Sequence, residues 1–190
     1  FLFITSIGLF VAFADLSGGT QTFLVALVAV VMYGFGSWLH EQNEKLRESA
    51  LTFVAIGMAS IPFVGVAAYY YMYDEQYGPA IWLATSATSL VVYFITLLRF
   101  RNTFISYMLI ASIVSLFESS VSILEAPTYY YIWGVMIAGL ALHALSFMTT
   151  AIPELKDSSK SSGRILIPLT IFASVTVIET EGVWQLAITM

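Results

Sequence analysis

The sequence predicts an all-α fold, a polytopic transmembrane helix bundle of seven or eight spans joined by short loops. Three observations carry that expectation. Of 190 residues, 59% are hydrophobic and only 10% charged, whereas a soluble domain carries about 25% charged residues as its wetted surface. The apolar residues are gathered into stretches close to the ~20 that a helix needs to cross ~30 Å of hydrocarbon. All seven Lys and Arg fall in alternate gaps between those stretches. The same composition excludes other classes. Cysteine is absent and the net charge is −5, so neither a disulfide-stapled scaffold nor a nucleic-acid binder fits.

In order, the spans read as Phe1–Ala14, Gln21–Leu39, Ala50–Met72, Ala80–Leu98, Thr103–Leu124, Tyr129–Ala151 and Ile165–Ile178. The first opens without an initiator Met and is too short to cross comfortably. Residues 1–190 therefore read as one helical domain within a longer chain. At the C-terminal end, Glu179, Glu181 and Gly182 favour a turn with an eighth span from Val183. The alternative is one tilted helix that runs on through Trp184, with both glutamates at the outer headgroup level. Either way Trp184 lies at the interface. Within the third span Pro62 marks a kink. Pro168 falls in the first turn of the seventh, where proline is tolerated. Ala55–Ala59, Gly134–Ala138 and Gly34 with Gly36 are spaced for close helix contacts.

Orientation follows from the basic residues. Lys45 and Arg47 lie in the loop 40–49, Arg99 and Arg101 in 99–102, and Lys156, Lys160 and Arg164 in 153–164, a Ser-rich stretch that reads as a flexible linker. Asp15, Asp74, Glu75 and Glu125 occupy the other gaps, which have no Lys or Arg. The positive-inside rule puts the basic loops in the cytoplasm and the acidic hairpins outside.

An ionisable group inside hydrocarbon costs about 2.5–3.5 kcal/mol, so Glu118 and His143 are the first candidates for function. Ala111, Ser115, Glu118, Ser122 and Glu125 recur on one helix face. The fourth span offers a matching stripe in Thr85, Ser89 and Thr96, with Thr88 alongside. Glu118 is then either a proton or cation site or a protonated acid bonded to those hydroxyls. His143 shares a face with Gly139, Ser146 and Thr150. It lies roughly 10 Å deeper than Glu118, which excludes a direct dyad and suits a neutral histidine bonded to a neighbouring helix.

A second cluster is aromatic and acidic. Tyr69, Tyr70, Tyr71, Tyr73, Tyr77 and Trp82 surround Asp74 and Glu75, and Tyr129, Tyr130, Tyr131 and Trp133 follow Glu125. An interfacial aromatic belt explains most of this. An organic-cation cage and a protein docking surface use the same residues.

Several chemistries are missing. No span holds a lysine or an aspartate, and HExxH, GxSxG and the P-loop are absent. With no Cys and two distant His, a metal site is not expected. The sequence therefore calls for no cofactor, no metal and no catalytic residue.

From Tyr33, just before Gly34, to Ser120 the chain reads YGFGSWLH, a charged loop, ALTFVAIGMASIPFVGVAAYYYMYDEQYGPAIW, a span of small residues, LLRFRNTFISY and SLFESS. This pattern resembles multi-span prokaryotic membrane proteins grouped as domains of unknown function, as in the ultrasmall candidate-phylum bacteria. The resemblance implies a bacterial inner-membrane bundle of paired helices and carries over no catalytic residue. Two functional readings follow. One is a non-enzymatic structural or accessory subunit whose partners are the lipid bilayer and a protein partner or second copy. The other is a small-molecule or ion transporter with its site at Glu118.

Overall fold

A peptide group placed in hydrocarbon has no water to bond, so a spanning segment must satisfy its own backbone, and a helix does so residue by residue. The computed structural model describes residues 17–42, 44–73, 75–148 and 152–181, and within them the regular structure is helical. The helices are α1 (Gly18–Gln42), α2 (Arg47–Tyr71), α3 (Gly78–Phe100), α4 (Thr103–Ile123), α5 (Thr128–Met148) and α6 (Pro153–Glu181). Short 3-10 turns at Glu44–Leu46 and Glu75–Tyr77 lead into α2 and α3. Helices α1 to α5 are long and apolar enough to cross a membrane. They match the expected second to sixth spans to within three residues.

Seven or eight spans are not found among the described residues. The expected span at 1–14, Asp15 and the chain from Gly182, with Val183 and Trp184, lie outside them. Residues 153–164 are not a linker. They form the first two-fifths of α6, in which Leu155, Ser158, Ser159 and Gly163 are buried. The reason is a second periodicity beneath the charges: those four residues share one face, and Lys156, Asp157, Lys160 and Arg164 occupy the other. Pro168 consequently stands in the interior of α6 rather than its first turn, and no turn begins at Glu179, because the helix runs on to Glu181. The other basic gaps are also largely helical. Residues 40–42 close α1, 47–49 open α2, and Arg99 lies in the last turn of α3.

The chain divides within α3 into two compact units, Phe1–Thr85 and Ser86–Met190. In the first, α1 and α2 form an antiparallel pair that meets backbone to backbone. A Cβ on Gly57 would lie 2.5 Å from the Tyr33 nitrogen and 2.8 Å from the Ala29 oxygen. One on Gly36 would lie 2.6 Å from the Val54 nitrogen and 2.8 Å from the Ala50 oxygen. At the far end Gly18 abuts the Tyr71 carbonyl. Gly36 thus packs as its spacing suggests, while Gly34 faces open space. Gly57, between Ala55 and Ala59, is the contact residue on α2. Farther along α2, Gly65 receives the Thr85 side chain of α3.

In the second unit α5 and α6 run antiparallel, with Gly163 against the Gly139 carbonyl and His143. Helix α4 packs on both. Asn102 caps α4, its Oδ1 accepting from Phe104 N–H at 2.8 Å. The turn after α4 is a Schellman motif. Ala126 N–H donates to Val121 O at 3.4 Å and Glu125 N–H to Ser122 O at 3.1 Å, with Glu125 at φ 49°.

The interior is rich in hydroxyls and the exterior in large apolar groups. Ser106, Ser119, Ser158, Ser159, Ser174 and Thr96 are fully buried, whereas Phe23, Val30, Tyr70, Phe147 and Phe172 are well exposed. That arrangement suits lipid, where an outward Phe loses nothing and an outward Ser has no partner.

Glycine substitutions test this packing. Gly57→Ala sets a methyl against backbone that cannot step aside and is expected to cost about 1–3 kcal/mol. Gly34→Ala meets nothing and is expected to be neutral or stabilising by up to about 1 kcal/mol. Glu125→Gly removes the left-handed penalty and is expected to stabilise by about 1 kcal/mol. Reversible unfolding in mixed micelles reads all three.

Candidate functional site

Glu118 sits in the penultimate turn of α4, half-buried, with its carboxyl turned toward α5. A Cβ on Gly134 would lie 3.0 Å from Glu118 Oε1 and 2.9 Å from the Phe117 ring. Oε1 is buried and has no hydrogen-bond partner among the described residues. The glycine makes the site possible, since any side chain there would displace the carboxyl.

The hydroxyls expected around Glu118 do not converge on it. Ser115, one turn below, meets α3 through a 2.7 Å bond to Ser86. Ser86 was not among the expected residues. The buried line on α3 runs Ser86, Ser89, Tyr93, Thr96 and Leu97, one position away from the expected stripe at its start. Thr85 therefore points elsewhere, to Gly65, and its hydroxyl donates to Ile81 O at 2.7 Å. Ser89 pairs with Tyr93 one turn on, and Thr96 donates to Val92 O at 2.6 Å. Thr88 is exposed. Ser122 is half-buried in the final turn, where its carbonyl receives Glu125 N–H. Glu125 leaves the helix face altogether, because the left-handed turn swings it outward and exposes it.

His143 lies nine residues beyond Gly134 on α5, about 13 Å along the axis. Its ring packs edge-on against Phe147 at 5.3 Å, and Nδ1 is buried without a hydrogen-bond partner among the described residues. Ser146 donates to the His143 carbonyl at 2.6 Å, so it serves the backbone rather than the ring. Thr150 lies outside the described residues.

The tightest polar cluster is one that spacing alone did not reveal. Ser106 Oγ bonds Ser158 Oγ at 2.6 Å, and its single proton has two carbonyl acceptors within reach, Thr103 O at 2.7 Å and Glu154 O at 3.1 Å. Both serines are fully buried and join α4 to the charged end of α6. Glu154 takes part through its main-chain carbonyl alone, so its identity gave no signal, and Ser158 stands among charged residues that read as solvated.

The aromatic candidates occupy helix ends. Tyr71 ends α2, and exposed Tyr73 stacks edge-on with Tyr77 at 5.9 Å. Glu75 opens the 3-10 turn, and Asp74 lies outside the described residues. In the second unit Tyr129, Tyr130 and Trp133 form a cluster of three rings, with centroids 4.5, 5.8 and 5.9 Å apart. Among the described residues no three His, Asp or Glu gather as a metal site.

Two measurements test the geometry. A Ser86→Ala, Ser115→Ala double-mutant cycle is expected to show coupling of about 0.6 kcal/mol, the average for such bonds in a bilayer. Gly134→Leu is expected to destabilise the chain through the Phe117 and Glu118 side chains, and Glu118→Ala in that background to recover part of the loss.

The chain matches no protein-family model, no curated protein and no solved structure.

Proposed function

We propose that this chain is a non-enzymatic structural or accessory subunit of a complex in a bacterial cytoplasmic membrane. One observation carries the reading: many hydroxyls of the interior are spent on the backbone of their own helix. Ser60, Thr85, Thr96, Ser112, Ser119 and Ser174 each donate to a carbonyl three or four residues back on their own helix. Such bonds satisfy a hydroxyl in lipid without building a ligand site. Glu118 and His143, the two candidates for chemistry, are held by different contacts. The exposed tyrosine-rich helix ends are the surface this reading assigns to a partner, and the resemblance to bacterial inner-membrane proteins supports the same membrane.

Gentle extraction from the native membrane followed by native mass spectrometry tests it. A defined complex with another chain is expected. A monomer that moves solute when reconstituted alone in liposomes would contradict it.

The buried, unpartnered Oε1 of Glu118 favours a second reading, a transporter binding a proton or small cation there. On that reading Glu118→Gln abolishes uptake while leaving the fold intact, since the amide keeps the shape of the acid.

The same proposal places the ends bearing Lys45, Arg47, Arg99 and Arg101 in the cytoplasm, by the positive-inside rule. With no native cysteine, single substitutions report orientation cleanly. An impermeant maleimide is expected to label Glu125→Cys in intact cells and Ser49→Cys only after the membrane is opened.

A further inference from the structure

Antiparallel packing fixes how deep the charged end of α6 lies. Gly163 stands against Gly139 and His143, so Arg164 lies beside the middle of α5, roughly 10 Å inward from the level of Met148. Lys160 is one turn nearer that end and Lys156 one turn nearer again. The three cations form a ladder at i, i+4 and i+8, rising about 12 Å along one side of the helix. Lys160 and Arg164 are exposed and Lys156 is half-buried. None of them makes an ion pair or hydrogen bond through its side chain among the described residues. Asp157 is the one acid on this face and is also exposed, leaving the stripe with a net charge of +2. Beyond Arg164 the same face turns apolar, with Ile171, Phe172 and Val175 exposed.

Bare cations beside an apolar helix are unfavourable in hydrocarbon. The face is complementary to an amphiphile with an anionic head at Lys160 and Arg164 and an acyl chain along Ile171, Val175 and Phe172. We propose that the Lys156–Lys160–Arg164 stripe of α6 binds the phosphate headgroup of an anionic phospholipid from the leaflet that meets the start of α6. Long basic side chains reach toward the headgroup layer from this depth, and the lipid phosphate supplies the countercharge that the described residues do not. The inference does not depend on the accessory reading, because it concerns one exposed face of α6.

The test uses the full chain in nanodiscs of equal phosphatidylglycerol and phosphatidylcholine, with retained lipids counted by native mass spectrometry. The wild type is expected to keep phosphatidylglycerol preferentially. Lys160→Gln with Arg164→Gln is expected to weaken that preference about thirtyfold, roughly fivefold for each charge removed. Asp157→Asn is expected to strengthen it. Should the double variant fail to fold, Lys160→Arg with Arg164→Lys, which preserves both charges, must keep the preference. Four results would overturn the proposal: no preference in the wild type, a preference unchanged by the double Gln variant, displacement of the lipid by inorganic phosphate, or an acidic protein chain held on the stripe in place of lipid.

Discussion

Every polar group that enters hydrocarbon needs a partner inside the protein, and the described structure follows from meeting that demand locally. Backbone amides meet it by helix formation. Hydroxyls meet it by bonding back to carbonyls of their own turn, as Ser112 and Ser119 do at 2.7 and 2.9 Å on α4. Once satisfied, serine becomes a small residue that can be buried, and fully buried Ser106, Ser119 and Ser174 let neighbouring backbones draw near. Glycine takes this further. At Gly36 and Gly57 the α1 and α2 backbones touch with nothing between them, a contact that in lipid relies on dispersion rather than on expelled water.

Local satisfaction also limits chemistry. A solute site needs several polar groups free and convergent, and here most candidate hydroxyls are committed to their own helix or to a neighbouring serine. Glu118 and His143 are among the exceptions, each with a buried atom lacking a hydrogen bond among the described residues, as are Ser37, Trp133, Glu154 and Ser159. Along α5, Gly134, which meets Glu118, and His143 are about 13 Å apart. The interior hydroxyls are thus bonded mainly within the helices, while Glu118 and His143 stand apart from one another. That contrast separates the accessory reading from the transporter reading, since only the latter requires Glu118 to exchange its proton or ion with solvent.

Much of the fold was legible in the sequence. Length and apolarity alone located α1 to α5, because a span must be near 20 residues and continuous. Facing residues were harder. Ser86, not Thr85, meets Ser115, since one residue is a 100° rotation and a loose hydroxyl pattern does not fix rotation that finely. Gly34 and Gly36 look alike in sequence, yet only Gly36 lies on the side that meets α2. Glu125 fell off its expected face because a left-handed turn, normally announced by glycine, is here taken by glutamate. The largest misreading was 153–164, where Lys, Asp and Ser resemble a solvated linker. Its buried face, Leu155–Ser158–Ser159–Gly163, is small and weakly apolar apart from Leu155, so hydrophobicity gave little sign of it. In lipid-facing bundles small polar residues are a packing signal, and here they outweigh the charges beside them.

The packing of the second unit turns on that segment, because placing the start of α6 against α4 and α5 brings its charges alongside those helices. A Ser106→Cys, Ser158→Cys variant tests it most directly. The two hydroxyls are 2.6 Å apart and fully buried, cysteine is nearly isosteric with serine, and the wild-type chain has no other thiol. Mild oxidation in the native membrane is expected to give a near-quantitative disulfide between positions 106 and 158, mapped by proteolysis and mass spectrometry. Two free thiols, both open to a water-soluble maleimide, would show that 153–164 is a solvated linker and contradict the account.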